Sequence, residues 1–289
     1  MIDSMTLDRY ETCASHVARV VLSDYSTSFG MATRLLAPRY RPHIANIYGL
    51  VRIADEIVDG PAECAGLVAG ERLELLDALE NEVYDSIRRG FSTNLVVHAF
   101  ACTAVHAGIG SDLIAPFFSS MRADLDLTRL DETAFREYVY GSAEVVGLMC
   151  LRVFLQDARP DAAERAVLVD GARRLGAAFQ KINFLRDLGD DARGLGRSYF
   201  PNVDSGRLGE SEKREITQSI RADLEAAEAS IRLLPAGARR AVATAHGLFS
   251  ELEKRIERTP AEAIIDRRIR VPDAVKLIIA LRASLRWSA

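Results

Sequence analysis

Apolar residues recur at three- and four-residue intervals along nearly the whole chain, and no stretch of useful length alternates with the two-residue period of a half-buried strand. The segments "ERLELLDALENEVYDSIRRG" (71–90), "TAFREYVYGSAEVVGLMCLRVFLQ" (133–156) and "AAERAVLVDGARRLGAAFQKINFLRDLGDD" (162–191) all carry that helical period. Glycine or proline punctuates it at Gly60-Pro61, Gly90, 108–112, Pro160, Pro201, Gly209, 235–237, Pro260 and Pro272. The expectation is an all-α chain of ordinary to long helices joined by short breaks. No low-complexity linker divides the 289 residues and no solenoid repeat is visible, so residues 1–289 read as one domain. With 48% of residues apolar, there is ample material for a core.

Against that pattern, "LVRIADEIVDG" (50–60) places acids where a core helix should be greasy. Ile44, Tyr48, Val51, Asp55 and Asp59 follow one another by three or four residues, so they share one helix face. Arg52 lies three residues before Asp55 and is expected to lean on the same cluster. Downstream, Gln180, Asn183, Asp187 and Asp191 repeat the arrangement, with Arg186 alongside and Phe179, Ile182 and Leu185 as apolar flanks. Like charges four residues apart at the end of an apolar stripe repel and are costly to desolvate unless a cation neutralises them.

Acids spaced by four are also common on solvated faces. Glu253/Glu257 and Glu262/Asp266, set among Lys254, Arg255, Arg267 and Arg268, read that way. The two aspartate motifs differ because each prolongs an apolar stripe. Short carboxylates and amides without His or Cys suit an oxygen-seeking ion, Mg²⁺ or Mn²⁺, which binds few carboxylates and completes its shell with waters and phosphates. Two such clusters with arginines would cage a metal-bound diphosphate, and the apolar stripes would hold a hydrocarbon tail. The four cysteines lack C-x-x-C spacing and the five histidines form no H-x-x-x-H or H-E-x-x-H pattern, so neither a zinc site nor a disulfide framework is expected. A net charge of −4 gives no general attraction to nucleic acid.

The segments "YSTSFGMATRLL" (25–36), "IYGLVRIADEIVDG" (47–60), "YVYGSAEVVGLM" (138–149), "QKINFLRDLGDDARGLGRSYFP" (180–201) and "RRIRVPDAVKLIIALRA" (267–283) resemble, in this order, those of the squalene and phytoene synthase family, and most of all its bacterial phytoene synthases. The resemblance implies a single-domain isoprenoid-synthase-type helical bundle with a central apolar cavity. By position it makes Asp55, Asp59, Asp187 and Asp191, with Asn183, the metal-binding set. It puts Ser26, Ser28, Arg52, Gln180 and Arg186 near the diphosphates, and Tyr48 and Tyr138 near the reacting carbons. Gly147 and Ala143 fall where prenyl chains pass close to a helix backbone. Two points of comparison stand out: Asp55-Glu56 fills the place where the family often has two adjacent acids, and Glu144 stands where a small residue is usual.

The activity implied is head-to-head condensation of two geranylgeranyl diphosphates to phytoene through a cyclopropylcarbinyl diphosphate, with Mg²⁺ or Mn²⁺ and no reductant. Two alternatives stay open: a squalene or dehydrosqualene synthase acting on farnesyl diphosphate, and a non-catalytic helical scaffold. The small residues Ala45 and Thr33 are expected to leave depth for the longer substrate. The opening "MIDSMTLDRYETC" lacks a basic-then-apolar leader, and no run approaches the roughly 18 apolar residues of a membrane span, so a cytoplasmic protein is expected. The basic, apolar-faced segment "RRIRVPDAVKLIIALRASLRW" suits peripheral contact with the inner membrane surface, or equally packing on the bundle.

Overall fold

The computed structural model describes residues 4–127, 129–194, 199–201, 203, 207–266 and 268–286, and only the backbone at 4 and 189–194. Helices α1 (Ser4–Tyr25), α2 (Thr27–Arg34), α3 (Arg41–Val58) and the short α4 (Pro61–Cys64) lead into α5 (Ala69–Arg89), α6 (Leu95–Ala107) and α7 (Ser111–Asp126). Helix α8 (Glu132–Val139) runs through a π-helical turn, Tyr140–Glu144, into α9 (Val145–Phe154). The long α10 (Ala162–Gly194) is followed by α11 (Glu210–Ile231), α12 (Ala236–Arg258), α13 (Ala261–Asp266) and α14 (Asp273–Arg286). Apart from one bridge residue, Arg129, no described residue is in extended pairing. The all-α expectation holds.

Local chemistry sets the helix ends where the breaks were read. Gly90 and Gly108 close α5 and α6 in the left-handed region, at φ 73° and 65°, which costs glycine nothing. Asn94 and Asp131 cap α6 and α8 by accepting two backbone N–H groups each.

Buried apolar residues gather in two main groups. One joins α3, α5, α6, α7 and α9 around Leu50, Leu76, Phe100, Phe117 and Phe118. The other joins α8, α10, α11, α12 and α13 around Phe135, Ile182, Leu185, Ile220 and Ile256. Between them the helices leave a cavity instead of closing. Its walls include Leu36, Phe154 and Leu168 of the first group and Phe184 and Leu252 of the second.

Segment 133–156 is not one uninterrupted α-helix. The π turn presses small residues onto α7: a Cβ on Gly141 would lie 2.3 Å from the Pro116 carbonyl oxygen. Such turns interrupt α-helices most often beside functional sites. On its other side, a Cβ on Gly176 would lie 2.6 Å from the Ala143 carbonyl oxygen, and one on Gly147 would lie 2.5 Å from that of Ala172. Here α9 and α10 touch through their backbones, so any side chain would push the cavity walls apart.

Candidate active site

The cavity between the two cores has a volume of about 1130 Å³. Along α3 it is lined by Ile44, Ile47, Tyr48, Val51, Arg52 and Asp55, with Asp59 just beyond. From α10 it takes Gly171, Ala172, Leu175, Gly176, Phe179, Gln180, Asn183, Phe184, Arg186 and Asp187. The two acidic stripes, more than 120 residues apart in sequence, therefore face one space. Asp59 is not inside the helix but at the C-cap of α3, its N–H donating to the Asp55 carbonyl at 2.8 Å. Asp191 belongs to α10, but its side chain lies outside the described residues.

Ser26 caps α2 by accepting the Phe29 N–H at 3.1 Å, and it lines the cavity together with Ser28. The first turn of α2 thus borders the cavity, where the partial positive charge of a helix N-terminus suits an anion. Tyr138 and Gly147 line the opposite side. The residues expected at the metal, the diphosphates and the reacting carbons, where their side chains are described, all line this one cavity.

Arg52 departs from expectation. Its guanidinium pairs with Glu56, one turn on, instead of with Asp55. It also lies 4.4 Å over the Tyr25 ring, and its Nε is buried without a hydrogen-bond partner. Glu56, the second acid of the pair, thus holds Arg52. Burial, and then the neighbouring Asp59, push the Asp55 carboxyl well above the ordinary carboxylate range; Arg52 opposes this, and Asp124 and Glu56 add to it. Asp187 is held differently, by Arg186 at 2.6 Å and by Arg268 at 2.9 Å. Glu144 points out of the cavity to Arg173, at 2.7 Å.

The described acids do not form a ready-made cage. Among the described residues, no three carboxylates of the two motifs approach within 4.8 Å of one another. The donors that the two motifs turn toward the cavity nonetheless offer oxygen: Asp55, Asp59, Gln180, Asn183 and Asp187. An acid disfavoured as an anion by burial and like charge, facing such donors, fits a hard dication that takes few protein ligands and leaves the rest to phosphate and water.

Comparison with known proteins is consistent with this geometry. A profile of the squalene/phytoene synthase family matches residues 22–274. The chain belongs to that family. It is 30% identical to a phytoene synthase of Arthrospira platensis, an alignment covering 96% of this chain and 93% of that one. It is 34% identical over 206 residues to the chloroplastic phytoene synthase 3 of Zea mays and 30% identical over 211 residues to phytoene synthase 1 of Arabidopsis thaliana. The chain spans about half the length of these plant relatives, 45% and 47%. Among solved structures, a dehydrosqualene synthase superposes with a TM-score of 0.77 at 19% identity, covering 97% of this chain and 98% of that one. A squalene synthase of Alicyclobacillus acidocaldarius gives a TM-score of 0.68 at 19% identity, covering 89% and 93%. The fold is the all-α isoprenoid-synthase fold.

Within this family member, several cavity residues escaped the sequence reading. Asp124, only 2% exposed, accepts the Tyr138 hydroxyl at 2.7 Å and the Tyr199 hydroxyl at 3.3 Å. Arg268, read above as part of a solvated charged face, instead lines the cavity and pairs with Asp187, and Arg270 and Lys276 add further cations. None of these stands in an acidic-stripe pattern. Asp124 reads as one of two acids in "MRADLD", and only its burial sets it apart.

The depth expectation needs correction at one position. Thr33 and Ala32 line the cavity, but Ala45 does not. Ala45 is buried one turn before Gly49, where an added Cβ would meet Ala18 of α1 and Val96 of α6 at 3.2–3.3 Å. It is one residue, and so about 100°, away from Ile44, which does face the cavity.

Proposed function

We propose that this chain joins two molecules of geranylgeranyl diphosphate head to head, forming phytoene and releasing two diphosphates. The observation that carries this is the meeting of two aspartate-bearing helix faces on one apolar cavity. Both ends of the reaction are then provided for: oxygen ligands and cations for diphosphate, greasy walls for prenyl chains.

Bound Mg²⁺ or Mn²⁺, held by Asp55, Asp59, Asn183, Asp187 and Asp191, would supply positive charge opposite the leaving diphosphate. Arg52, Arg186, Arg268 and Lys276, with the first turn of α2, bind and orient the diphosphate oxygens. Departure of the first diphosphate leaves an allylic cation. Phe29, Phe179 and Phe249, whose rings pack at centroid distances of 3.7–5.9 Å, keep water from it. The double bond of the second prenyl diphosphate attacks, and loss of a proton closes a cyclopropylcarbinyl diphosphate. A second ionisation, ring rearrangement and proton loss give the symmetric hydrocarbon. No reductant enters this balance. Ring faces and buried dipoles of Tyr48 and Tyr138, with anionic Asp124 behind Tyr138, favour positive charge on carbon.

No described helix is long and apolar enough to cross a membrane. Helix α14 rests on α12 through Ala280 and Ala283, leaving Leu277, Ile278, Leu281 and Leu285 exposed, with Arg282 and Arg286 alongside. This face is proposed to meet a lipid surface, where so apolar a product would leave. The reading is tested by stoichiometry: two diphosphates released per hydrocarbon formed, with turnover lost in EDTA and restored by Mg²⁺ or Mn²⁺. One diphosphate per substrate without coupling would exclude it.

A further inference from the structure

Away from the cavity, α1 and α6 bring Glu11, His98 and Cys102 together. A carboxylate oxygen, an imidazole nitrogen and the thiol sulfur all lie within 4.8 Å of one another. His98 and Cys102 are four residues apart and share one face of α6, with Nε2 and Sγ 3.7 Å apart. Two ligands on one tetrahedral ion, at bond lengths of ~2.0–2.3 Å, stand roughly 3.3–3.8 Å from each other. Two of the three donors are thus already spaced as ligands, and side-chain rotation of the partly exposed Glu11 closes the rest. The H-x-x-x-C spacing is neither of the histidine patterns nor the cysteine pattern usually read for metals, so this cluster is not visible as a motif.

The imidazole is held in place at this cluster. His98 is 1% exposed, Tyr10 and Phe91 pack on its ring at 4.9 and 5.6 Å, and the polar contact found for Nε2 is the long one to the Cys102 sulfur. A buried Nε2 facing a thiol at that distance gains little from it as a hydrogen bond, and an ion between the two would bind both. The donor chemistry says which. Thiolate, imidazole and carboxylate select a borderline-soft ion, unlike the oxygen donors of the two aspartate motifs. One thiolate and one carboxylate around a neutral imidazole also balance a divalent charge.

We propose that Glu11, His98 and Cys102 form a zinc site that ties α1 to α6. Binding releases the thiol proton to solvent and leaves a fourth position for water. Helix α1 ends at Tyr25, which stacks against Arg52 at the mouth of the cavity, so the metal fixes the helix carrying that wall. The site does not depend on the reaction proposed above.

Cobalt(II) is the probe. It is titrated into chelator-stripped full-length protein in which the exposed Cys13 and Cys64 are replaced by serine. One equivalent per chain should give a thiolate-to-cobalt charge-transfer band and strong visible bands of four-coordinate cobalt, both displaced by Zn²⁺. Cys102→Ser should abolish the charge-transfer band. Glu11→Gln, a same-size change at a partly exposed site, should weaken binding at least about tenfold while circular dichroism is unchanged. Zn²⁺ should raise Tm in the parent and not in Cys102→Ser. If that variant does not fold, Glu11→Gln alone decides. No thiolate band in the parent, a band surviving Cys102→Ser, or unaltered affinity in Glu11→Gln would overturn the proposal.

Discussion

The Tyr138 hydroxyl lies 2.7 Å from both carboxylate oxygens of Asp124, deep in the wall of the cavity. Burial first, and then the Asp124 charge, hold the phenol well above its usual value, so the tyrosine keeps its proton and donates it. Asp124→Asn preserves volume and a hydrogen-bond acceptor but removes the negative charge behind the ring. Turnover is expected to fall at least about tenfold, with a stability change of no more than ~2 kcal/mol. Paired steady-state assays and thermal melts check this. An Asn variant as active as the parent would reduce Asp124 to a packing residue.

Asp55 and Asp187 should respond differently to the same substitution. Asp55 is surrounded by the like charges of Asp59, Asp124 and Glu56, so Asp55→Asn should leave Tm equal or higher. Asp187 is paired with Arg186 and Arg268, so Asp187→Asn should cost about 0.5–2 kcal/mol. Both should lower turnover about 100-fold or more. Denaturant titration separates the two stability effects.

Substrate length should answer to Thr33 and not to Ala45. Thr33→Phe projects a ring into the cavity and removes room worth several buried CH₂ groups at ~0.8 kcal/mol each. It should lower kcat/KM for geranylgeranyl diphosphate more than for farnesyl diphosphate. Ala45→Trp, at a buried position of α3 off the cavity, should instead destabilise the fold for both substrates alike.

Protein stability should also depend on pH through His43. Its ring accepts or donates at Thr103 Oγ1, 2.9 Å away, and stacks on His106 at 4.7 Å. Burial, then the charge of His106, lower its pKa to about 4. The folded ring binds its proton less readily than the unfolded one, whose pKa is about 6.5. Stability from this group is therefore complete above about pH 6.5 and is lost as pH falls toward 4, by about 2–3 kcal/mol. Urea unfolding at pH 7 and pH 4.5 should show this slope in the parent and a shallower one in His43→Gln.

What the sequence made legible follows from how each feature is encoded. The all-α fold and the α3 stripe were readable because Ile44, Tyr48, Val51, Asp55 and Asp59 succeed one another at helical spacing. The α10 stripe was readable for the same reason. Asp124, Tyr199 and Arg268 were not, because their place in the cavity comes from packing between segments far apart in the chain. The Ala45 expectation failed by one residue: spacing gives a face, and a single step along the helix leaves it. The π turn at Tyr140–Glu144 depends on contact with Pro116 and Ser120 of another helix, which local periodicity does not record.

The most direct test of the proposed activity is a competition assay. Purified protein is given equal concentrations of geranylgeranyl and farnesyl diphosphate with Mg²⁺ and without NADPH, and the hydrocarbons are identified by mass and ultraviolet spectrum. The account predicts phytoene as the main product, at a rate unchanged by added NADPH. A predominance of dehydrosqualene, a product that appears only with NADPH, or no coupled hydrocarbon at all would contradict it.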